Sequence, residues 1–363
     1  MLDIARSLTP LIESEADAAE AAGRMTPRVV DALTAAGLFA LMVPSSMGGA
    51  EADILTALEV LEEVCRADGS TGWSLLANVT STAFAASYCS DEAVKEMFGG
   101  DRPAVHAGQF APRGVATPCG GGYRVSGRYS FASGSDHAGY IAAGTMHAET
   151  GQMLAVFVPV ERVTFLGNWD VLGLTATHSV DYEIPAQIVD TGWTFPLLEA
   201  EPKRGGPVYR LGVLSITSVG HCAFALGVGR RAIEEVIRVA TAKQRLGADP
   251  IRDQQLFRYE LAFHDAALGA ARAYSFEVFG TAQAAVDAGS MPTPEQAQRL
   301  RQATTYATRV AADAVRFAYT WSGSNGLRQP SVLGRCFRDI AAGTQHLFVD
   351  TDTLTQMGRV LLA

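Results

Sequence analysis

The chain has 363 residues, of which 48% are hydrophobic, and a formal net charge of −9 at pH 7. This length and apolar content indicate a folded protein of two or three packed units and exclude a disordered chain. The acidic balance argues against a nucleic-acid partner, because binding to phosphates needs a basic face. We find neither a secretion signal nor an apolar run of membrane-spanning length, so we expect no membrane association and a cytoplasmic location.

The first hundred residues predict a helical unit. Apolar side chains recur at helical spacing from Ala5 to about Gly100. After Gly100 the pattern changes to short β-rich segments separated by turn residues, and Gly120-Gly-Gly122 predicts a hairpin turn. We therefore predict a helical domain over residues 1–100 and a β domain over residues 101–205.

Helical periodicity returns near Tyr209 and predicts a bundle over residues 206–363. Thr293, Pro294 and Gln296 form a capping-box pattern at the start of the third bundle helix. Four long helices can bury one another's apolar faces in an antiparallel bundle. Their predicted ranges are 209–242, 251–288, from 293 onward, and 331–362.

The five cysteines lie far apart and show no C-x-x-C spacing, so we predict reduced thiols, no disulfide framework and no metal site.

Four segments carry a resemblance to a known family: Ala67-Asp-Gly-Ser-Thr-Gly-Trp73, the stretch from Gly121 to Gly134, Trp169 to Ser179 with the pattern W-x-x-x-G-x-x-x-x-x-S, and Trp321 to Leu347. In order and separation they resemble segments of the acyl-CoA dehydrogenase superfamily, closest to its flavin-dependent monooxygenase branch, which includes two-component phenol hydroxylases. The resemblance implies an α+β fold with an N-terminal α-helical domain, a middle β-barrel or sandwich domain, and a C-terminal four-helix bundle that also forms a homotetramer.

The place of the family's usual catalytic base lacks a carboxylate. Counting from Arg338-Asp339 puts His346 at the tyrosine-like position and Leu347 at the glutamate's position. Some relatives carry the base on the first bundle helix, but Val208-Tyr-Arg-Leu211 offers no acid there either. Dehydrogenation of an acyl thioester needs such a base, so a flavin scaffold without it favours oxygen chemistry.

Three residues are candidates for catalysis. A histidine ordinarily titrates near neutrality, so His346 is expected to accept a phenolic proton, and a partly buried histidine hydrogen-bonded within a helix is the alternative. The resemblance puts Ser133 near flavin N5, where its hydroxyl would protect a C4a-hydroperoxide. An ordinary turn serine is the alternative. His106 occupies a strand that faces the flavin edge in related hydroxylases and would stabilise the anionic reduced flavin, unless it is a structural strand histidine.

The resemblance also implies cofactor-binding and substrate-lining residues. Lys243 and Arg245 lie in a segment similar to the R-x-Q-F-G motif that reaches a neighbouring subunit's flavin phosphates. Lysine in place of the usual arginine leaves the choice between FAD and FMN open. Trp73 and Phe348 are expected to line an aromatic-substrate pocket, although isolated aromatic residues are more often core. The remaining cofactor-binding candidates are Gln109, Phe131, Ser133 and Gly134 beside the isoalloxazine, and Ser324, Asn325 and Gly326 in a turn that receives the other end of a dinucleotide.

These features predict the oxygenase component of a two-component flavin monooxygenase. It would take FMNH2 or FADH2 from a separate NAD(P)H:flavin reductase and hydroxylate a small aromatic, phenolic substrate through a C4a-hydroperoxyflavin. The first alternative is an FAD-dependent acyl-CoA dehydrogenase in which Asp350, one helical turn beyond Leu347, acts as a displaced base. The second is a catalytically silent relative that serves as a helical binding or assembly protein.

Overall fold

A computed structural model describes residues 1–100, 104–199, 201–242 and 249–362. The N-terminal unit is helical, as predicted. Helix α4 is its centre: nearly all of its side chains are buried, and the Asp68 carboxylate caps its first turn by accepting a hydrogen bond from the Thr71 backbone N–H at 2.8 Å. The helices are α1 Leu2–Ala22, α2 Pro27–Ala35, α3 Ile54–Ala67, α4 Gly69–Tyr88 and α5 Asp91–Gly99.

The expected middle β domain is one mixed seven-stranded sheet in the order β5-β6-β2-β1-β3-β4-β7. The predicted hairpin is present: Cys119 pairs with Gly122, and Gly120 and Gly121 both take positive φ angles that only glycine adopts readily. Strands β1 and β3 pair in parallel, and the other neighbours are antiparallel. The strands are β1 His106–Cys119, β2 Gly122–Tyr129, β3 Tyr140–His147, β4 Met153–Pro159, β5 Thr164–Phe165, β6 Tyr182–Asp190 and β7 Thr194–Pro196.

The C-terminal unit is again helical, and the capping box at Thr293 and Gln296 is confirmed. The prediction of one last helix over residues 331–362 is wrong. That stretch is two helices joined by a segment that contains a short 3₁₀ turn at Leu347–Val349. The helices are α6 Gly212–Ala242, α7 Gln255–Asp287, α8 Pro294–Ser322, α9 Ser324–Leu327, α10 Val332–Gly343 and α11 Thr351–Leu362.

Helix α6 is the core of this unit. The helical stretch Pro207–Ala242 is apolar and long enough to cross a membrane, but 83% of its most apolar 18-residue part is buried inside the protein. It packs mainly against α3 and α8, which is the environment of a core helix. The order of helices, sheet and helices is therefore the predicted one, while the domain boundaries at residues 100 and 205 remain predictions.

Candidate active site

The indole ring of Trp73 joins the three units at one point. It packs edge-on against His221 and Phe224 of α6, with ring centroids 5.1 and 4.9 Å away, and against His346 at 5.6 Å. Its Nε1–H donates a hydrogen bond to the Ser133 Oγ at 3.2 Å. The predicted flavin-side serine and the predicted substrate-side histidine therefore contact the same side chain.

His221 and His346 form a stacked pair of imidazoles. Their ring centroids are 4.1 Å apart at an interplanar angle of 27°, and Phe348 stacks against both rings at 5.3 and 5.7 Å. Burial lowers the pKa of His346 to about 4 and, together with the neighbouring His346, holds the pKa of His221 well below its usual range. Both imidazoles are therefore neutral at physiological pH.

The two histidines differ in their hydrogen bonds. The Nδ1 of His346 accepts a hydrogen bond from the backbone N–H of Phe348 at 3.3 Å. A neutral imidazole that accepts at Nδ1 carries its proton at Nε2, so this geometry makes Nε2 a donor. His221 is only 5% exposed, and its ring makes no hydrogen bond to any residue that the structure describes. A buried imidazole without a hydrogen-bond partner favours a ligand that can form a hydrogen bond with it.

His346 lies in the break between α10 and α11 rather than on a helix. Gly343 ends α10 where an added Cβ would lie 2.4 Å from the Phe224 ring, so the close packing of the chain on α6 requires glycine. Leu347 then points outward with 57% of its surface exposed. Asp350 is exposed and accepts a hydrogen bond from the backbone N–H of Asp352 at 2.8 Å at the start of α11. The proposed displaced base is thus a helix-capping residue, and its side chain makes no hydrogen bond to the aromatic cluster, which we define as Trp73, His221, Phe224, His346 and Phe348.

The surface beside Ser133 fits the predicted flavin. Phe131 is 63% exposed, lies 6.3 Å from the Trp169 ring and holds a φ of 68°, which is unusual for a bulky residue. Leu174 and His178 in the opposite segment also have positive φ angles, 56° and 45°. Strained backbone of this kind persists where surrounding structure enforces it, often at ligand sites. An exposed aromatic face beside a buried hydroxyl suits a flat ring system with a polar edge.

Two other predicted flavin contacts have structural roles. Gly134 has a φ of 71°, and an added Cβ would lie 2.4 Å from the Asn78 Oδ1. Its N–H donates to the Thr177 carbonyl and its carbonyl accepts from the Asn78 Nδ2, so packing alone explains this glycine. The half-buried Gln109 accepts a hydrogen bond from the Ala111 N–H through its side-chain oxygen, which shapes the bulged part of β1.

The structure contradicts the prediction that His106 faces the flavin edge. Its side chain is fully buried, stacks between Phe98 and Tyr140 at 5.6 and 5.0 Å, and lies 3.4 Å from the Met97 sulfur. Burial lowers its pKa to about 3. A ring without exposed surface cannot touch a bound cofactor, so His106 is a core histidine.

The remaining cofactor candidates lie apart from the aromatic cluster. Asn325 lines a surface cleft of about 200 Å³ together with Arg238 and Pro330, and Ser324 beside it is also exposed. Gly326 is buried, and an added Cβ would lie 2.5 Å from the Ser322 Oγ, so the packing at this turn requires glycine. Lys243 and Arg245 fall outside the described residues.

The Arg338-Asp339 motif links the bundle to the loop beside the site. Asp339 accepts a hydrogen bond from the Leu174 backbone N–H at 2.6 Å, and Arg338 forms an ion pair with Glu20 of α1. Burial, and secondarily the nearby Asp68 carboxylate, raise the pKa of Asp339 to about 7. This aspartate therefore holds the strained Leu174 in place rather than acting on a substrate.

Replacing Asp339 with asparagine is expected to stabilise the fold increasingly as pH rises from about 5 to 6.5. In the folded protein the raised pKa retains a proton that the unfolded chain releases above about pH 4, so this group makes stability fall with pH until about pH 7. Asparagine cannot ionise and still offers an oxygen to the Leu174 N–H. Urea unfolding at several pH values should show the variant's relative free energy of unfolding rising by roughly 1 kcal/mol per pH unit. A difference that stays constant over this pH range would show instead that Arg335, whose charge lowers the pKa of Asp339, keeps this carboxylate ionised in the folded protein.

Sequence reasoning missed three members of this site. His221 sits in a buried apolar stretch of α6, where a lone histidine gives little signal. Ser179 ends the W-x-x-x-G-x-x-x-x-x-S pattern, and Thr177 lies within it, yet neither was assigned a role. Their hydroxyl oxygens lie 2.6 Å apart, and the Ser179 Oγ lies 2.6 Å from the Ser133 Oγ.

Comparison with family models matches two parts of the chain. Residues 4–99 match the acyl-CoA dehydrogenase N-terminal domain, and residues 219–351 match the acyl-CoA dehydrogenase C-terminal domain. Neither match covers the β domain, but both lie in the order that the fold requires.

Individual relatives and solved structures cover nearly the whole chain. Indole-3-acetate monooxygenase of Pseudomonas putida is 31% identical over 91% of this chain and 85% of its own length. The oxygenase subunit HsaA of a flavin-dependent monooxygenase from Rhodococcus jostii is 24% identical over 95% and 94%. XiaF from a Streptomyces species, solved with FADH2 and glycerol, superposes with a TM-score of 0.90 at 20% identity, covering 99% and 94%. TdsC from a Paenibacillus species, solved with FMN and indole, gives 0.83 at 22%, covering 99% and 96%.

Three observations point to the same family: the fold, the named relatives, and an aromatic cluster that contains no carboxylate among the described residues. The chain belongs to the acyl-CoA dehydrogenase superfamily and, within it, to the flavin-dependent monooxygenases.

Proposed function

We propose that this protein is the oxygenase component of a two-component system and hydroxylates a small aromatic substrate between Ser133 and His346. The observation that carries the proposal is the double contact of Trp73, whose Nε1–H bonds the Ser133 hydroxyl while its ring packs against His346. In this proposal the serine faces the cofactor and the histidine faces the substrate. The indole holds the two sides at a fixed separation.

The reaction balances with one cofactor and one oxygen molecule. Reduced flavin supplies two electrons, one oxygen atom enters an aromatic C–H bond, and the other leaves as water with the two hydrogens from the flavin. Phe131, Ser133 and Trp169 would hold the ring system. Trp73 and Phe348 would then line the substrate side, and the buried aromatic cluster would keep water away from the reacting atoms.

The histidine pair suggests how the substrate is oriented. In the tautomer that the Phe348 N–H selects, His346 offers an Nε2–H to an oxygen of the substrate, such as a phenolic one. His221, without a polar partner among the described residues, can accept a hydrogen bond from a ring N–H or O–H. The Pseudomonas putida relative is named for indole-3-acetate, which carries an N–H and an anionic oxygen acceptor. We therefore propose two substrate classes, simple phenols and indole-3-acetate-like acids.

The decisive assay follows labelled oxygen. The protein is mixed with a general NADH:flavin reductase, NADH, FMN or FAD, and either a phenol or indole-3-acetate under ¹⁸O₂. The expected product gains one ¹⁸O atom only when both reductase and protein are present. Failure of every aromatic substrate, combined with flavin bleaching by an acyl-CoA, would support a dehydrogenase. Failure to bind any flavin would support a silent binding protein.

Further parts of the proposal concern the surroundings of the enzyme. We propose a separate NAD(P)H:flavin reductase as partner, a homotetramer and a cytoplasmic location. A tetramer would let Lys243 and Arg245 reach the phosphates of a neighbouring subunit's flavin. Lys243→Ala tests that role when its affinities for FMN, FAD and phosphate-free riboflavin are compared with those of wild type. If Lys243 binds the phosphates, the affinities for FMN and FAD should fall and the affinity for riboflavin should not.

A further inference from the structure

Ser133 is the end of a chain of hydroxyl groups, which we call the hydroxyl chain and define as Ser133, Ser179 and Thr177. Neighbouring hydroxyl oxygens are 2.6 Å apart at both steps, and the Thr177 Oγ1 lies 2.8 Å from the Leu174 carbonyl oxygen. All three side chains are buried. Ser133 keeps 5% of its surface exposed and the other two keep 2% each, so Ser133 is the member nearest the surface.

The chemistry of its two ends fixes the direction of every hydrogen bond in this chain. A carbonyl oxygen only accepts, so Thr177 must donate its one hydroxyl proton to Leu174. Thr177 then accepts from Ser179, and Ser179 in turn accepts from Ser133. At the other end, the indole N–H of Trp73 can only donate, and it donates to Ser133.

A serine hydroxyl has one proton and two lone pairs. Ser133 gives its proton to Ser179 and uses one lone pair to accept from Trp73, so one lone pair and no proton remain for a ligand. We infer that the hydroxyl chain makes Ser133 a pure acceptor, and that it thereby selects the reduced over the oxidised flavin. Reduced flavin carries a hydrogen at N5, whereas oxidised flavin presents a bare nitrogen there. An acceptor pairs with the first and repels the second. The inference rests on the proposed function, and it assigns Thr177 and Ser179 as positioning residues.

The Leu174 carbonyl is held firmly enough to set this direction. Leu174 has a φ of 56°, and its N–H donates to the buried Asp339 carboxylate at 2.6 Å. The preceding Gly173 packs so closely that an added Cβ would lie 2.0 Å from the Arg338 carbonyl oxygen. Helix α10 of the bundle therefore positions the carbonyl that orients the hydroxyl chain in the β domain.

The opposite proton order has a specific cost. If Thr177 donated to Ser179, its oxygen would lie 2.8 Å from the Leu174 carbonyl oxygen with no proton between them. Removing the Thr177 hydroxyl abolishes that cost. Ser179 would then turn its proton toward Ser133, and Ser133 would become a donor suited to oxidised flavin.

The experiment measures flavin affinity in both redox states with Thr177→Val, a variant of similar shape. Dissociation constants for FMN and FAD are measured in the oxidised form and, under anaerobic conditions, in the reduced form. We expect wild type to bind reduced flavin more tightly. We expect Thr177→Val to reduce that preference about tenfold. In the variant the hydrogen bond from the N5–H of reduced flavin to the Ser133 oxygen would be replaced by an unfavourable contact between that N5–H and the Ser133 proton. The midpoint potential of the bound flavin should fall by about 30 mV, the equivalent of tenfold for two electrons.

Three variants serve as controls. Thr177→Ser keeps the hydroxyl and should keep the preference. Thr308→Val removes an equally buried hydroxyl that bonds only within α8, and should leave the potential unchanged. Ser179→Ala also frees the Ser133 proton and should shift the potential in the same direction, so it provides the test if Thr177→Val does not fold.

The outcomes separate this inference from the proposed function. An unchanged redox preference in both Thr177→Val and Ser179→Ala, or a wild type that prefers oxidised flavin, overturns the inference while ¹⁸O incorporation still supports the monooxygenase. Absence of flavin binding in either redox state by wild type overturns the proposed function itself.

Discussion

Replacing His346 with alanine is expected to slow product formation about a hundredfold or more, while reduced-flavin binding stays near its wild-type value. The side chain contacts Trp73, His221 and Phe348 but none of the residues beside Ser133 that would hold the flavin. Single-turnover measurements with preloaded reduced flavin separate the two quantities. Asp350→Asn is the matched control, because asparagine also caps helices, and it should retain full activity.

Glutamine at position 346 distinguishes a donor from a base. The bond from the Phe348 N–H makes the Nε2 of His346 a donor, and a glutamine amide can replace that N–H but cannot accept a proton. If His346 orients the substrate oxygen, His346→Gln should retain activity within about tenfold of wild type, because one neutral hydrogen bond is kept. If it removes a proton, glutamine and alanine should be equally slow, and both defects should shrink at high pH where a phenol ionises unaided.

The pH profile gives a second check on His346. Burial lowers its pKa to about 4, so the ring stays neutral as pH falls through 6.5 and would gain a proton only near pH 4. The rate of oxygen transfer should therefore show no loss centred near pH 6.5. A loss at that pH, absent in His346→Gln, would mean that bound substrate restores the ordinary pKa of this histidine.

The position of His346 illustrates what sequence patterns can and cannot give. Helical periodicity predicted one continuous helix over residues 331–362, but Leu347–Val349 form a 3₁₀ turn in which Phe348 and Val349 are buried. Gly343 and Asp350 were the missed signals, since glycine favours helix ends and aspartate favours helix starts. The family resemblance still makes His346 a candidate, because it depends on counting from Arg338-Asp339 rather than on secondary structure.

The opposite case is His106, whose strand was expected correctly and whose environment was not. His106 and Ala107 are both fully buried, so β1 is covered on both faces at this end. Alternation of polar and apolar residues cannot then indicate which way a side chain points. His221 was missed for a related reason, because a helix that is buried all round gives no polar face against which a histidine stands out.

The network around Ser133 could not be predicted from the sequence, because it depends on backbone angles. Phe131 and Leu174 have positive φ angles, although neither residue type favours them, so no residue preference predicts these two turns. These turns bring the segments 131–134 and 174–180 together: Ala132 donates its N–H to the Val180 carbonyl and Gly134 donates to the Thr177 carbonyl.

Replacing Ser133 with alanine is expected to divert most reducing equivalents to hydrogen peroxide, while reduced flavin still binds. The variant removes the acceptor for the Trp73 Nε1–H and the donor to Ser179, and leaving a buried partner unpaired costs about 1–3 kcal/mol. This cost weakens the link through Trp73 between the cofactor side at Ser133 and the substrate side at His346. Oxygen is then released as hydrogen peroxide before it reaches the substrate. The measurement is the ratio of hydroxylated product to peroxide per NADH consumed.

Ser135→Ala is the control for Ser133→Ala, because Ser135 is equally buried, two residues away, and outside the hydroxyl chain. It should keep the wild-type ratio of product to peroxide. An unchanged ratio in Ser133→Ala would remove the serine from the mechanism. A ratio that falls in Ser133→Ala but not in Thr177→Val would show instead that coupling needs the Ser133 oxygen and not the direction of its proton. Coupling and redox selectivity would then be separate properties of one hydroxyl group.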